Sequence, residues 1–164
     1  MSPNRPDAAL HLEQFLPYRL SVLANTLSAS LSGFYAGQHD LSPPEWRVIA
    51  VLAQSPGLTA AGVVARTAMD KVAVSRAVAR LLRQGRLSRR QSAEDRRCTT
   101  LELTRAGQAL YRNVAPQALA YERELLQALS KADQERLGVI LELLTARARE
   151  LRDGRIISAS KDPG

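Results

Sequence analysis

The sequence predicts a mainly α-helical fold that contains one small β-hairpin. Apolar residues recur at spacings of three and four along most of the 164 residues, which is the pattern of one buried helix face. After Gly85 the pattern changes to the alternation that is typical of strands. The chain is long enough for about one domain with its own apolar core. We therefore expect one compact domain with a helical extension.

The composition narrows the class of protein. Apolar residues make up 45% of the chain and charged residues 24%, as in an ordinary soluble globular protein. No apolar run approaches the roughly 20 residues that a membrane-spanning helix needs, and the polar N-terminal segment is unlike a signal peptide. We therefore expect a cytoplasmic protein without a membrane partner.

Cysteine, histidine and glycine usage argues against a metal centre, a cofactor site and an active site. Cys98 is the single cysteine, and His11 and His39 lie far apart in the sequence. A disulfide or a cysteine zinc site is therefore not expected. The sequence contains no glycine-rich phosphate loop and no nucleophile with a suitable base. We expect no enzyme activity, no metal and no cofactor, and we expect His11 to be a surface residue of a helix.

The positive charge is concentrated in one segment. Between Arg66 and Arg97 there are ten basic and three acidic side chains, a net charge of +7, which equals the net charge of the whole chain. Nine of the ten are arginines, whose planar guanidinium groups can bind phosphate or a guanine edge with two hydrogen bonds. A solvated helix face is the alternative interpretation, although such faces usually mix both signs. The charge pattern favours a nucleic-acid partner.

The first two helices are predicted from apolar stripes and start signals. The first stripe comprises Leu20, Leu23, Leu27, Leu31 and Phe34, and we expect Pro17 to start or kink this helix and residues 37–40 to end it. In the second helix, Ser42 is the predicted N-cap and Glu45 completes a capping box, with Leu41 and Trp46 as a hydrophobic staple. Its predicted buried stripe comprises Trp46, Ile49, Ala50 and Ala53, and residues 55–57 end it.

Two short helices with a tight connection follow. Thr59 is the predicted cap of the first, which runs to about Thr67 with Val63 and Val64 inward, and Asp70 caps the second. The predicted buried stripe of the second helix comprises Val74, Ala77, Val78 and Leu81. The opposite face comprises Val72, Ala73, Arg76, Ala79, Arg80 and Arg83. A helix with small residues and arginines on its outer face suits the second helix of a helix-turn-helix, which enters the DNA major groove.

The segment after Gly85 is predicted to form a hairpin. Its strands are residues 87–91 and 98–103, and its tip carries Asp95, Arg96 and Arg97. A hairpin in this position is a wing, and arginines at its tip suit the negative potential of a narrow minor groove. A local salt bridge of Asp95 with the two arginines is the alternative. The two interpretations are compatible, because Asp95 can orient one arginine while the other reaches DNA.

The rest of the chain is predicted to be helical. Thr104 is the predicted cap of a helix that has an apolar stripe and a kink at Pro116. Ser130 is the predicted cap of the last helix, which ends near Gly154. The two stripes comprise Leu110, Tyr111, Val114, Ala118, Tyr121 and Leu125, then Leu137, Ile140, Leu141 and Leu144. The predicted organisation is an N-terminal dimerisation helix at 8–36, a winged helix-turn-helix domain at 42–104, C-terminal dimerisation helices at 105–153 and a flexible tail at 154–164. The terminal stripes need a second subunit to be buried, so we expect a homodimer.

Several motifs resemble the MarR family of bacterial transcription regulators. These motifs are SPPEWRVI at 42–49, MDKVAVSR at 69–76, DRR at 95–97 and LELTRAG at 101–107. The resemblance covers residues 12–151 and implies a dimer that binds a pseudo-palindromic duplex operator through two recognition helices and two wings. It also implies that Val72 and Ala73 contact thymine methyl groups where other members often have Ser and Thr.

The resemblance implies functional residues and an effector. The implied DNA-binding set is Lys71, Val72, Ala73, Ser75, Arg76, Arg80, Arg83, Arg96 and Arg97, with Asp95 orienting the wing. Members of the family typically repress transcription until a small aromatic or phenolic ligand, or an oxidant, acts on them. Candidate ligand residues are Tyr18, Arg19, Trp46 and Arg47, with a core role as the alternative for Trp46. A redox sensor acting through Cys98 is the alternative function.

Overall fold

The structure is a computed structural model, and it describes residues 10–67, 69–91 and 99–154. The helices are α1 (Leu16–Ser32), α2 (Ala36–His39), α3 (Pro43–Gln54), α4 (Ala60–Thr67), α5 (Lys71–Arg83), α6 (Arg105–Leu126) and α7 (Lys131–Arg152). The strands are β1 (Leu58–Thr59), β2 (Leu87–Gln91) and β3 (Thr99–Leu103). The predicted fold class, mainly helical with a small hairpin, is confirmed. Among the described residues, no helix has both the length and the apolar character needed to cross a bilayer.

The predicted helix starts are confirmed by hydrogen bonds. Glu45 Oε2 accepts from the backbone N of Ser42 at 2.6 Å, which is one of the two bonds of the capping box of α3, and it also accepts from Ser42 Oγ at 2.7 Å. Asp70 Oδ1 accepts from the backbone N of Ala73 at 2.8 Å at the start of α5. The hydroxyl groups of Thr59, Thr104 and Ser130 accept from backbone N atoms at the starts of α4, α6 and α7. These local bonds satisfy N–H groups that have no partner within the helix.

The end of the first helix differs from the prediction. α1 has Pro17 in its first turn, as expected, but it ends at Ser32, so Phe34 lies beyond it. Residues 37–39 belong to the short helix α2 instead of breaking a longer one. The chain reverses at Asp40, whose φ of 48° is the left-handed conformation that Asp tolerates better than most residues. His11 is exposed but precedes α1, so its predicted place on a helix is wrong.

The strands form one antiparallel sheet in the order β1, β3, β2. The hairpin pairs Leu87 with Leu103 and Gln91 with Thr99. β1, a strand that was not predicted, adds Leu58 opposite Leu101 on the other edge of β3. The sheet closes against the helices through Leu87 and Leu101, which are both buried.

The apolar core lies in the first of two compact units, which ends at Leu119. All four predicted core residues of α5 are buried, as are Val63 of α4 and the α6 residues Leu110 and Val114. In α3 the predicted stripe is confirmed only at Ile49, because the buried residues are Glu45, Val48, Ile49 and Leu52. Ala50 and Ala53 are only half-buried and Trp46 packs at the margin of the core.

The second unit begins at Ala120 and contains the end of α6 and the whole of α7. Pro116 lies inside α6 without ending the helix. α7 runs from its Ser130 cap to Arg152, close to the predicted end, and contains no buried residue. The unit boundary falls inside α6, within the range predicted as dimerisation helices. The predicted tail at 154–164 lies outside the described residues apart from Gly154.

Candidate nucleic-acid interface

α5 is held in the first unit by one apolar face. Val74 and Leu81 are almost completely buried, and Ala77 and Val78 complete the stripe. Asp70 fixes the N-terminal end through its cap, while Gly85, at φ 66°, turns the chain into β2. A helix packed along one face presents the opposite face at a defined rotation.

The opposite face of α5 is apolar at its start and cationic further on. Lys71, Val72, Ser75, Arg76, Ala79 and Arg83 are exposed, and Ala73 is half-buried. Val72 is 58% exposed, although burying it would be favourable. α5 carries four basic and no acidic side chains. In the part of the chain that the structure describes, Lys71, Arg76 and Arg83 have no carboxylate partner. This face offers unpaired cations and small apolar groups, which fit phosphates and thymine methyl groups.

Arg80 belongs to a different environment from the other cations of α5. Its Nη2 donates to Asp40 Oδ1 at 2.7 Å, and its Nε lies 3.1 Å from Oε1 of Glu45, whose side chain is 1% exposed. The hydrogen bond that Arg80 donates to Asp40, helped by the negative charge of Glu45, raises the pKa of the Arg80 guanidinium above its usual value. Arg80 was expected to contact DNA, whereas in the structure its guanidinium is paired with two carboxylates of the same chain.

Two neighbours of Arg80 extend this set of contacts. Arg86 Nη2 donates to the backbone O of His39 at 2.5 Å. Gln84 Nε2 donates to Asp40 Oδ2 at 3.4 Å. We call Asp40, Glu45, Arg80, Gln84 and Arg86 the clamp, because these residues join the end of α5 and the start of β2 to the turn before α3. The clamp could not be predicted from local sequence patterns, because its partners lie about 40 positions apart in the sequence.

The hairpin carries further basic side chains. Arg89 and Arg90 are exposed on β2, and Arg90 Nε lies 3.0 Å from Oε2 of Glu102 on β3. The predicted tip residues Asp95, Arg96 and Arg97, and the candidate redox residue Cys98, lie outside the described residues. β2 spans the predicted residues 87–91, and β3 ends at Leu103 as predicted and is described from Thr99 onward.

The four candidate ligand residues have different surroundings. The ring centroid of Trp46 lies 5.8 Å from that of Tyr35 and 6.0 Å from that of Tyr111. Trp46 also packs against the core, which agrees with the core role that was its alternative interpretation. Arg47 Nη2 donates to Ser28 Oγ of α1 at 3.2 Å. The remaining candidates, Tyr18 and Arg19, line a shallow groove along α1 together with Glu13, Val22, Leu23 and Thr26.

A separate cavity of about 250 Å³ lies between the end of α3, β3 and α6. Its lining combines the aromatic ring of Tyr111 with the charged side chains of Glu102 and Arg112. None of the four predicted ligand residues lines this cavity. Within the described residues, no cluster of three His, Cys, Asp or Glu side chains could hold a metal ion.

Comparison with known proteins finds similarity to one family of transcriptional regulators. The MarR family profile matches residues 39–97. The homoprotocatechuate degradative operon repressor of Escherichia coli is 26% identical over 105 residues, which are 64% of this chain and 71% of that repressor. A MarR/EmrR family transcriptional regulator from Acinetobacter sp. ADP1 has a crystal structure that matches with a TM-score of 0.80 at 26% identity, over 86% of this chain and 99% of that chain.

A third protein extends the comparison at the level of the fold. The structure of Bordetella bronchiseptica BpsR, described for the regulation of its DNA binding by 6-hydroxynicotinic acid, matches with a TM-score of 0.74 at 20% identity. That match covers 84% of this chain and 98% of BpsR. The family profile, the related repressor and the structural matches agree with the cationic helix and hairpin described above. Residues 39–97 thus match the MarR family, and the structure has the winged-helix fold of a solved regulator of that family, whose members are transcriptional regulators and not enzymes.

Proposed function

We propose that this regulator is a homodimeric repressor that binds a pseudo-palindromic duplex operator and is released by a small aromatic or phenolic acid. The observation that carries the DNA-binding part is the outer face of α5. Arg76 and Arg83 are exposed there and unpaired with any carboxylate among the described residues. We assign base and backbone contacts to Lys71, Val72, Ala73, Ser75, Arg76 and Arg83. Arg80 is left out of this set because its guanidinium is paired with Asp40 and Glu45.

The wing is the second proposed contact. Arg96 and Arg97 would enter the minor groove beside each half-site, oriented by Asp95. Such contacts depend on groove width more than on base edges, so we expect a preference for A·T-rich flanks. The exposed Arg89 at the base of the hairpin has a side chain suited to the adjacent phosphates.

Exposed apolar residues support the homodimer. The side chains of Leu16, Val22 and Leu23 on α1 and of Val139, Ile140 and Leu143 on α7 are all at least 45% exposed. Water contact with so many large apolar groups is unfavourable, and a second copy of the same surface would bury them. A two-fold axis between the copies would present two recognition helices to one palindrome.

The repressor role and the effector class are supported by two relatives. One is a repressor of an operon for degradation of homoprotocatechuate, and the DNA binding of the other, BpsR, is regulated by 6-hydroxynicotinic acid. We propose a hydroxylated aromatic acid as the effector here, with Arg19 or Arg47 pairing with its carboxylate and Tyr18 or Trp46 contacting its ring.

Arg19→Ala should then leave operator affinity unchanged and raise the acid concentration needed to release the protein from its operator. Release is measured by fluorescence anisotropy of a labelled operator across a panel of such acids.

The DNA-binding proposal is tested with two neighbouring residues of α5. Arg76→Ala should weaken binding to a selected operator by about 1–3 kcal/mol without changing the melting temperature, because Arg76 lies opposite the buried stripe. Val74→Ala should instead lower stability by about 1–3 kcal/mol, because it leaves a cavity in the core. Operator titrations and thermal melts of both variants check this. Unfolding by Arg76→Ala together with a harmless Val74→Ala would contradict the assignment.

A further inference from the structure

The clamp connects the recognition helix to a turn that is itself firmly held. Asp40 donates its backbone N to Ala36 O, and Leu41, which is buried, donates its backbone N to Tyr35 O. Glu45 is fixed from the other side by its two bonds from Ser42. The Glu45 side chain and the backbone of Asp40 are therefore held in place, and the Asp40 carboxylate extends from this backbone to Arg80 with 78% of its side chain exposed.

The same turn leads into residues that contact other helices. Trp46 stacks on Tyr111 of α6, and Arg47 donates to Ser28 of α1. Three consecutive residues, Glu45 to Arg47, thus face α5, α6 and α1 in turn. A change in the position of this turn relative to α1 would be passed to α5 through Arg80.

The apolar stripe sets the rotation of α5 about its axis, and polar contacts of this kind constrain its tilt as well. The buried face of α5 is made of Val, Ala and Leu side chains, whose contacts are not directional. Arg80 is about 14 Å along the helix axis from Lys71, so a tilt of about 10° at Arg80 would move the groove-reading end by about 2 Å. A displacement of that size exceeds what a hydrogen bond to a base edge tolerates.

We propose that the clamp is a positioning device: Arg80, held by Asp40 and Glu45, sets the orientation of α5 and thereby the spacing between the two recognition helices of the dimer. This proposal rests on the proposed function, because it requires a dimer that reads two half-sites. In it Arg80 is a positioning residue and does not touch DNA. Because an exposed ion pair such as Arg80 with Asp40 contributes little to the free energy of unfolding, the fold should survive its loss.

The test uses the full chain and an operator selected by the wild type from random duplex DNA. Inserting or deleting one base pair between the half-sites rotates one of them by about 35° relative to the other. The wild type should lose at least about tenfold in affinity for either altered operator. Asp40→Asn keeps the left-handed turn, which Asn tolerates, and removes the charge that holds Arg80. This variant should lose less than about threefold on the altered operators, with unchanged affinity for random duplex DNA.

Two controls separate positioning from charge and from stability. Glu122→Gln makes the same change of charge at an exposed site on α6 and should keep the wild-type spacing preference. Val114→Ala destabilises the core away from the clamp and should also keep that preference. A change of spacing preference in either control would overturn the proposal.

Arg80→Ala distinguishes positioning from a direct phosphate contact. If Arg80 only positions α5, the salt dependence of binding should stay unchanged, whereas a lost phosphate contact would reduce the slope by about one per subunit. A reduced slope, or a strict spacing preference retained by Asp40→Asn, would overturn the clamp and leave the proposed function intact. A wild type that selects no sequence would overturn both proposals. If Arg80→Ala does not fold, Asp40→Asn alone decides.

Discussion

Tyr35 is a buried residue whose side chain can ionise, and burial disfavours that ionisation. Its side chain is 2% exposed and stacks on Trp46, yet it carries a phenol that can ionise. Burial raises the pKa of Tyr35 above its ordinary value of 10.0, and the positive charge of Arg47 partly opposes the shift. The native state therefore keeps the phenol proton at pH values where the unfolded chain has lost it.

This difference predicts a specific loss of stability in alkali. The contribution of Tyr35 is fully present below pH 10.0 and is lost as the pH rises through the higher pKa of the folded state. Tyr35→Phe removes the titrating group, so the free energy of unfolding of this variant should fall less steeply above pH 10.0 than that of the wild type. Urea unfolding at a series of pH values measures the difference. Parallel curves for the two proteins would show that the phenol ionises equally well in both states.

Individual residues differ in how well their roles follow from the sequence. Asp70 and the buried stripe of α5 were predicted correctly because caps and helix periodicity are local properties. The pairing of Arg80 with Asp40 and Glu45 was not predicted, because only the packing of α5 against α3 brings these residues together. Arg80 consequently received the same predicted role as Arg76, although their environments differ.

At the scale of elements, the junction between β2 and α6 depends on a close backbone approach. Thr104 donates from its backbone N to Arg86 O at 3.1 Å and from its Oγ1 to Gly85 O at 2.7 Å. These bonds bring the first turn of α6 against the start of the hairpin. A Cβ atom on Gly107 would lie 2.2 Å from Arg86 O, which is backbone and cannot rotate away.

Gly107→Ala should therefore destabilise the protein by about 1–3 kcal/mol, because α6 and β2 must separate to admit the methyl group. Gly37→Ala is the matched control, since a Cβ there meets nothing within 4 Å and Ala favours the helix. Thermal unfolding of the two variants makes the comparison. Equal melting temperatures for Gly107→Ala and the wild type would mean that the junction yields more easily than its backbone contact implies.

The errors of prediction at β1 and α3 have a common physical cause, which is that local sequence patterns did not determine these features. β1 is two residues long, and only its pairing with β3, more than 40 positions later, defines it as a strand. In α3, residues 46–53 are apolar at every position except Arg47, so periodicity could not select the buried face. The capping box would have helped, because Glu45 turns inward and its face carries Val48, Ile49 and Leu52. Helices with a clear polar face, such as α5, had no such ambiguity.

For the molecule as a whole, the main unexplained feature is the apolar surface that the terminal helices leave exposed in a single chain. Neither α1 nor α7 contains a buried residue, although both carry large apolar side chains. The stripe predicted on α7, Leu137 to Leu144, remains 36% to 50% exposed in the single chain. A stable dimer interface buries at least about 1,000 Å² in total, and helices of this length can supply that area.

The proposed dimer predicts that charges on this stripe prevent association without unfolding the protomer. Ile140 and Leu144 are 50% and 39% exposed in the single chain, so glutamates there remain hydrated if no partner covers them. Buried between two copies, the same four carboxylates would lie unpaired in an apolar interface at a high cost in free energy. Ile140→Glu with Leu144→Glu should therefore give a helical monomer by light scattering and circular dichroism, with operator affinity reduced because two half-sites are no longer linked. Glu142→Lys, on the polar side of α7, should leave the dimer mass measured by light scattering unchanged.

A chain without residues 1–41 and 128–164 should likewise be monomeric or insoluble. A well-folded dimer from either this truncation or the double glutamate variant would place the interface elsewhere on the molecule.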